Sequence, residues 1–322
     1  MYYFSLVIPV YNRPDEIDEL LQSLVEQTDK DFEVVIVEDG SNITSEPVVA
    51  RYSDRLAVHY YYIPNGGPAP ARNYAATKAQ GEYLLILDSD CVLPPNYLTA
   101  VRDELNATHA DAFGGPDRAS DNFTTIQKAI DYSMTSFFTT GGIRGGKKKL
   151  DKFYPRSFNM GIRKAVFDAL GGFSAMRFGE DIDFSIRIYK AGHNVCLFPT
   201  AWVYHKRRTN WKKFYRQVYN SGIARINLYL KYPDSLKLVH LLPACFTLGV
   251  IACLAGSLFC PGWLLPLLLY ALLVWVDSGN VYAIPAAYIQ LIGYGAGFLS
   301  ACWNRLILKK GEFSAFQKNF YK

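Results

Sequence analysis

Short apolar runs alternate with helical segments through the first third of the chain. The strand-like runs are Phe4 to Pro9, Phe32 to Val37, Ala57 to Ile63 and Tyr83 to Leu87, and the segments with helical character include Asp15 to Gln27 and Ala69 to Ala79. This alternation is typical of an α/β fold with a doubly wound, mostly parallel sheet. In such sheets ligands bind beyond the carboxyl ends of the strands.

Each strand-like run ends in polar or conformationally special residues. They are Pro9-Val10-Tyr11-Asn12, Glu38-Asp39-Gly40-Ser41, Asn65-Gly66-Gly67-Pro68 and Asp88-Ser89-Asp90. The last of these brings two carboxylates to the open end of the sheet, where a hard divalent cation can bind against a ligand phosphate. A second acidic stretch, Glu180 to Asp183, follows later in the chain. The pattern predicts metal-assisted chemistry on a phosphorylated substrate.

Composition indicates a large, divided and mildly basic protein. The 322 residues are 50% hydrophobic, so we expect at least two units. The net charge of +5 arises from clustered cations, namely Lys147-Lys148-Lys149, Lys206-Arg207-Arg208 and Lys212-Lys213. Such clusters suit lipid headgroups or diphosphates, and we expect no nucleic-acid partner. The six cysteines have no paired spacing and Met1 to Leu6 lacks a signal-peptide lead, which favours a reducing cytosol for the N-terminal unit.

Three runs near the C-terminus are almost free of charge. They are Val239 to Phe259, Trp263 to Val276 and Ile284 to Trp303. A membrane span takes roughly 20 apolar residues, so the first and third runs qualify, whereas the middle run is short and interrupted by Pro266. We expect two spans, and three is the alternative. The short middle segment would be re-entrant or would complete a hairpin with only one of its neighbouring runs. A basic tail on the same side as the N-terminal unit requires an even number of crossings.

Two segments have two interpretations each. Trp211 to Tyr219 mixes aromatic and cationic residues, and predicts a helix that lies in the lipid headgroup region or packs as an ordinary amphipathic domain helix. Gly141 to Lys149 combines four glycines with three lysines, and predicts a solvated linker or a lid that closes over phosphates.

These motifs, in this order, resemble family-two glycosyltransferases of the GT-A fold that carry a C-terminal membrane anchor. The resemblance covers about residues 4 to 225 and depends on Pro9-Val10-Tyr11-Asn12, Glu38-Asp39-Gly40-Ser41, Ala71-Arg72-Asn73, Asp88-Ser89-Asp90, Gly171-Gly172-Phe173 and Glu180-Asp181. It implies a GT-A catalytic domain at residues 1–232, whose juxtamembrane part begins at about 209. A membrane-anchoring helical region with a basic tail would occupy residues 233–322.

The resemblance implies transfer of a sugar from a nucleotide-diphosphate sugar, with UDP as the expected nucleotide, to an acceptor hydroxyl with inversion. Asp39 would accept a hydrogen bond from the base, and the implied donor-binding residues are Pro9, Tyr11, Asn12, Glu38, Asp39, Arg72, Asp88, Ser89 and Asn159. Glu38 departs from the family, in which many members have Asp.

The resemblance also implies a metal site. Asp90, with Asp88 and His205, would hold Mg²⁺ or Mn²⁺, which neutralises charge on the leaving nucleoside diphosphate. Arg207 and Arg208 would lie beside the diphosphate or the acceptor.

Inverting transfer needs a carboxylate that removes the proton of the acceptor hydroxyl. Asp181 matches that family position, and Glu180 either orients the acceptor or is itself the base. Asp183 is interpreted as a helix-start charge that the helix dipole favours.

The anchor predicts an acceptor at the lipid bilayer, such as a polyprenyl-linked glycan in surface polysaccharide assembly. The catalytic domain would face the cytoplasm at the cell inner membrane. The alternatives are a nucleotide-sugar-binding membrane scaffold without catalysis and a nucleotidyltransferase. A processive synthase needs more spans than this tail provides.

Overall fold

The computed structural model describes residues 2–118, 123–140 and 153–313, which form two compact units. The first unit contains residues 2–118 and 153–206, and the second contains 123–140 and 207–313. The predicted linker or lid at 141–149 lies outside the described residues. In the structure, the segment after residue 206 belongs to the same compact unit as the apolar helices. The domain division predicted from the sequence falls after residue 232.

The strands are β1 (Phe4–Val10), β2 (Phe32–Asp39), β3 (Val58–Ile63), β4 (Tyr83–Leu87), β5 (Cys91–Val92), β6 (Ala112–Gly114), β7 (Asp117–Arg118), β8 (Asn159–Arg163), β9 (Val195–Leu197) and β10 (Val203–His205). The helices are α1 (Pro14–Val25), α2 (Glu46–Ala50), α3 (Pro68–Lys78), α4 (Tyr97–Thr108), α5 (Thr125–Thr135), α6 (Phe137–Thr140), α7 (Lys164–Ala169), α8 (Glu180–Lys190), α9 (Trp211–Lys231), α10 (Leu242–Ser257), α11 (Leu265–Ser278) and α12 (Ala283–Ala301).

The first unit is built on a seven-stranded sheet of order β3-β2-β1-β4-β8-β6-β9. Strands β1 to β4 are mutually parallel where they pair, and β8 runs antiparallel between β4 and β6. A small sheet of order β5-β10-β7 pairs His205 with Cys91. The predicted α/β fold with a mostly parallel sheet is confirmed, and the carboxyl ends of β1, β2 and β4 meet at one edge.

Helices cover both faces of this sheet. Alternate residues of β1 contribute to different cores: Leu6 and Ile8 pack with α1 and α4, whereas Val7 packs with α3 and α8. Because both faces are buried, the central strands read as continuous apolar runs instead of alternating ones. The loops at the carboxyl ends of these strands are therefore attached to a sheet that is packed on both faces.

The second unit contains two helices that are long and apolar enough to cross a membrane, by length and composition, within the described residues. They are Leu238–Ser257 and Pro261–Ser278, and most of their surface is exposed. The prediction that the middle run is too short is wrong. Pro266 lies in the first turn of α11, where a missing N–H breaks no helical hydrogen bond.

The third apolar run forms α12, which is not one of these two helices, so the prediction that this run qualifies is wrong. Its glycines allow close packing against neighbouring helices. A Cβ at Gly297 would lie 2.0 Å from the Tyr219 carbonyl oxygen of α9, and one at Gly295 would lie 2.3 Å from the Pro243 carbonyl oxygen of α10. Helix α12 is therefore a packed element of the unit.

Helix α9 uses its apolar face within the protein. Phe214 and Val218 are buried in a cluster with Ile130 and Met134 of α5, and Ile223 and Ile226 pack with residues of α12. This favours the amphipathic domain helix over a helix whose rings face acyl chains.

Candidate active site

The turn after β2 is organised by Asp39. Its Oδ1 accepts a hydrogen bond from the Gly66 amide at 2.7 Å, and its Oδ2 accepts one from the Gly67 amide at 2.9 Å. Gly40 has φ +68°, and a Cβ there would lie 2.5 Å from the Asn65 nitrogen, so the turn requires glycine. Asp39 is thereby held at the carboxyl edge of the sheet, next to the N-terminus of α3.

Glu38 is fully buried beneath this turn. Its carboxylate accepts hydrogen bonds from the Ser41 hydroxyl, from the Ser45 amide at 2.8 Å and from the Tyr60 hydroxyl at 3.1 Å. These partners occupy the carboxylate, so Glu38 shapes the loop after β2. Its contact with the donor stays a prediction.

Asn12 connects the loop after β1 to the loop after β2 by hydrogen bonds. Its amide N–H donates to Ser41 Oγ at 2.7 Å, and its side-chain Oδ1 accepts from the Asn42 and Ile43 amides at 2.8 and 3.0 Å. Asn12 adopts φ +54°, a conformation that Asn tolerates better than most residues. Pro9 lies one residue before the end of β1, and Tyr11, directly after the strand, is 49% exposed, so its ring is available to a ligand.

Arg72 lies inside the protein and joins the two acidic motifs. Its Nη2 donates to Asp88 Oδ1 at 2.7 Å and its Nη1 donates to Glu180 Oε1 at 3.0 Å, while its side chain is only 4% exposed. The guanidinium also lies 5.4 Å from the centre of the Phe173 ring. The guanidinium of Arg72 is turned towards these two carboxylates, and its place in the nucleoside pocket stays a prediction.

Burial raises the pKa of Glu180, the neighbouring charge of Asp181 adds to this rise, and Arg72 opposes it. The ionised form of Glu180 is therefore disfavoured relative to a carboxylate in water.

Asp90 and His205 face each other across the paired strands β5 and β10. Asp90 Oδ1 lies 3.1 Å from His205 Nε2, and Asp90 Oδ2 lies 3.4 Å from Arg13 Nη1. The His205 ring stacks on Phe158 with centroids 4.8 Å apart. Burial lowers the pKa of His205, but Asp90, Asp117 and Asp88 outweigh burial and raise it to about 9.

The donor set at this point fits a divalent cation. Ligand atoms of Asp90, Cys91 and His205 lie within 4.8 Å of one another. Carboxylate oxygen suits both Mg²⁺ and Mn²⁺. Cys91 is a poor third ligand, because its thiol contacts the Phe158 carbonyl oxygen at 3.4 Å and burial raises its pKa. Ser89, between the two aspartates, is buried.

Asp181, in the first turn of α8, has both carboxylate oxygens engaged. Oδ1 accepts a hydrogen bond from the Ile182 amide at 2.8 Å, and Oδ2 forms an ion pair with Arg156 Nε at 2.7 Å. Asp183, predicted as a helix-start charge, is in the first turn of α8 but fully buried, and it pairs with Arg187 at 3.0 Å. Arg187 donates in turn to the carbonyls of Leu170 and Gly172, so this pair holds the double-glycine turn.

Two predicted site residues have other partners. The Asn159 side chain is fully buried, where it accepts a hydrogen bond from the Tyr97 hydroxyl at 2.6 Å and donates to the Ala201 carbonyl at 2.8 Å. Arg207 belongs to the second compact unit, is buried, and pairs with Asp131 at 2.8 Å. A donor contact for Asn159 and a diphosphate contact for Arg207 stay predictions. Arg208 also belongs to the second unit.

The structure adds residues that the sequence analysis missed. Arg13 follows the Pro9 to Asn12 motif directly, and Asp117 follows β6, so position after a strand end could have indicated both. Arg156 and Phe158 carry no such signal, because they reach Asp181 and His205 only through the fold.

Comparison with known proteins gives relatives that align over part of their length. An uncharacterized glycosyltransferase of Haemophilus influenzae is 30% identical over 192 residues, which are 57% of this chain and 61% of that protein. Three uncharacterized glycosyltransferases of Rickettsia align over 17%, 28% and 12% of their own lengths. The chain thus spans less than two thirds of these curated relatives.

Solved structures share the fold at low sequence identity. Residues 1–349 of S. aureus TarS, in complex with UDP-GlcNAc, align with a TM-score of 0.53 and 19% identity over 94% of this chain and 92% of that one. The mannosyltransferase PcManGT from Pyrobaculum calidifontis, in complex with GDP-Man and Mn²⁺, aligns with a TM-score of 0.65 and 18% identity over 94% and 88%. Both likenesses concern the fold alone.

The family comparison covers six of the seven strands of the main sheet. The model of glycosyl transferase family 2 matches residues 5–171, which are more than half of the chain. The motifs after β1, β2 and β4 all fall in that range. The chain therefore belongs to glycosyl transferase family 2.

Proposed function

We propose that this protein is a metal-dependent, inverting glycosyltransferase that moves a sugar from a nucleotide-diphosphate sugar to a hydroxyl of a membrane-associated acceptor. The observation that carries the proposal is the convergence of Asp88, Asp90, Glu180 and Asp181 with His205 in the first unit of a family-2 chain. Asp90 lies with His205 at the candidate cation site, Asp88 precedes Asp90 by two residues, and Glu180 and Asp181 lie at the start of α8.

The donor half of the site would use Asp39 and Tyr11 for the nucleoside. Asp39 is fixed by loop amides, and the exposed Tyr11 ring offers a surface for a base or ribose. UDP is the expected nucleotide, and the UDP-GlcNAc and GDP-Man complexes of the two structural neighbours justify a panel with both nucleotides.

Mg²⁺ or Mn²⁺ would be held by Asp90 and His205, with Asp88 beside them. A bound cation supplies Lewis-acid neutralisation of the leaving diphosphate. Arg13 and His205 keep Asp90 oriented, because Arg13 contacts its Oδ2 and His205 contacts its Oδ1.

Asp181 is the better candidate for the base. A base must be ionised to accept the acceptor's proton, and burial works against ionisation of Glu180. Glu180 then positions Arg72, and through it Asp88, instead of taking the proton itself.

The acceptor would be held at a membrane. The helices Leu238–Ser257 and Pro261–Ser278 expose apolar surface over almost their full length, and two crossings would leave the segments before and after this pair on one side. A polyprenyl-linked glycan of surface polysaccharide assembly, used at the cytoplasmic face of the inner membrane, fits this arrangement.

The test is release of nucleoside diphosphate by the full chain in detergent. The donors are UDP-glucose, UDP-GlcNAc and GDP-mannose, with Mn²⁺, Mg²⁺ or EDTA, and the variants are Asp90→Ala and Asp181→Asn. We expect metal-dependent turnover of one donor that both substitutions abolish. Pyrophosphate as the product would indicate a nucleotidyltransferase instead, and tight donor binding without turnover, even with lipid-linked acceptors added, would indicate a binding scaffold.

A further inference from the structure

The segment 153–156, which we call the strap, is docked on the catalytic helix α8. The Tyr189 hydroxyl donates to the Phe153 carbonyl at 2.7 Å, and the Ser185 hydroxyl lies 3.0 Å from the Pro155 carbonyl oxygen. On its other side the strap packs against β6, where a Cβ at Gly114 would meet Phe153 and Pro155. The backbone on the N-terminal side of Arg156 is therefore fixed relative to α8.

The backbone on the C-terminal side of Arg156 is fixed as well. The Asn159 amide donates to the Arg156 carbonyl at 3.0 Å, which closes a turn directly before β8. Strand β8 is hydrogen-bonded on both edges inside the main sheet, so this turn is attached to the most rigid part of the unit. Arg156 is thus carried by a short segment with anchors before and after it.

The guanidinium of Arg156 is directed at the carboxylate of Asp181. Its Nε lies 2.7 Å from Asp181 Oδ2, and the Asp181 side chain is 9% exposed whereas that of Arg156 is 36% exposed. Oδ1 of Asp181 is held by the Ile182 amide. The two contacts together select one rotamer of Asp181.

The neighbouring carboxylate has a different cation. Glu180 pairs with the buried Arg72, so each carboxylate of the Glu180-Asp181 pair has its own guanidinium. Two adjacent negative charges at a helix start repel each other, and separate cations allow both to stay in place. The pairing with Arg156 lies on the more exposed side, since Arg72 is 4% exposed.

We infer that Arg156 is the positioning residue for the catalytic carboxylate Asp181. It holds Oδ2 so that the carboxylate meets the acceptor hydroxyl in one orientation. This inference rests on the proposed function, in which Asp181 is the base. Because Arg156 acts through Asp181, its loss should lower turnover without weakening the binding of the donor.

The test compares Arg156→Gln and Arg156→Lys with Asp181→Asn in the full chain. The readouts are kcat for nucleoside diphosphate release from the donor that the wild type turns over, and the Kd of that donor with Mn²⁺. For Arg156→Gln we expect kcat to fall by roughly 10- to 100-fold, as for other misplaced catalytic groups, with Kd within about twofold of the wild type. Arg156→Lys keeps the charge and should recover part of kcat.

A chemical rescue separates positioning from folding. Guanidinium ion at millimolar concentration should raise kcat of an Arg156→Ala variant and leave Asp181→Asn inactive. An Arg156→Gln variant with wild-type kcat, or with a weakened Kd and unchanged kcat, would overturn the inference while the proposed function stands. Activity retained by Asp181→Asn would instead overturn the assignment of the base.

Discussion

The position of Arg72 on helix α3 does not by itself predict the role of its side chain. As a member of α3 it could face solvent, but its guanidinium is buried between Asp88 and Glu180, at 2.7 and 3.0 Å. Removing one partner from a buried charge cluster leaves the others uncompensated. The role of Arg72 is therefore structural for both acidic motifs at once.

Arg72→Met should lower the free energy of unfolding by about 3 kcal/mol, because Asp88 and Glu180 would lose their shared cation. Denaturant unfolding in detergent measures this. Arg51→Met is the matched control: Arg51 pairs with Asp18 at 2.8 Å, but both side chains are exposed, so we expect a loss of at most about 1 kcal/mol. Equal losses for the two variants would contradict the assignment.

Glu180 should make stability depend on pH. Its pKa in the folded protein is raised above the ordinary 4.5 by burial, then by Asp181. Between 4.5 and the raised pKa the unfolded chain releases a proton that the folded protein retains, so stability falls as pH rises through this window.

Glu180→Gln has no such proton, and the free energy of unfolding of the variant relative to wild type should therefore increase as pH rises from below 4.5 towards neutral. Urea unfolding at a series of pH values measures the difference. Stability curves that stay parallel across this range would show that Glu180 ionises as freely in the folded protein as in water.

At the scale of elements, the short distance between α9 and α12 depends on Gly297. A Cβ at Gly297 would lie 2.0 Å from the Tyr219 carbonyl oxygen, and this oxygen cannot rotate away as a side chain can. The helices must separate to admit a methyl group. Close approach of this kind lets backbone atoms pack directly.

Gly297→Ala should destabilise the second unit by about 1–3 kcal/mol, the usual cost of overpacking. Gly249→Ala in α10 is the control, because no atom lies within 4 Å of the added Cβ, and its effect should stay within about 1 kcal/mol. Thermal unfolding followed by circular dichroism in detergent compares them. A larger loss of stability in Gly249→Ala than in Gly297→Ala would show that the exposed face of α10 packs against another surface.

At the scale of the whole molecule, the hairpin of α10 and α11 predicts the side on which a natural cysteine lies. Cys260 is exposed between the two helices, and all six cysteines are free. If both helices cross the bilayer from a cytoplasmic catalytic unit, Cys260 faces the opposite side.

A membrane-impermeant maleimide added to intact spheroplasts should therefore label Cys260, and Cys260→Ser should remove that label. Cys196 in the first unit should react only after permeabilisation, which makes it an internal control. Labelling of Cys260 only after permeabilisation would show that the hairpin does not cross.

The sequence by itself determined the sheet and the edge at which chemistry is concentrated. Periodicity is a local property, so β1 to β4 and the polar residues after them follow from neighbouring residues along the chain. The same holds for the two apolar helices as a class, because length and composition decide whether a helix can span a membrane.

Tertiary structure decided which partner each charged group has. Arg72 and Glu180 are 108 positions apart, and they meet only because β8 is inserted antiparallel between β4 and β6 and brings α8 back to the site. The same insertion buries Asn159 and directs Arg156 at Asp181. Motifs can be read one at a time, but a contact between distant segments depends on how the whole chain packs.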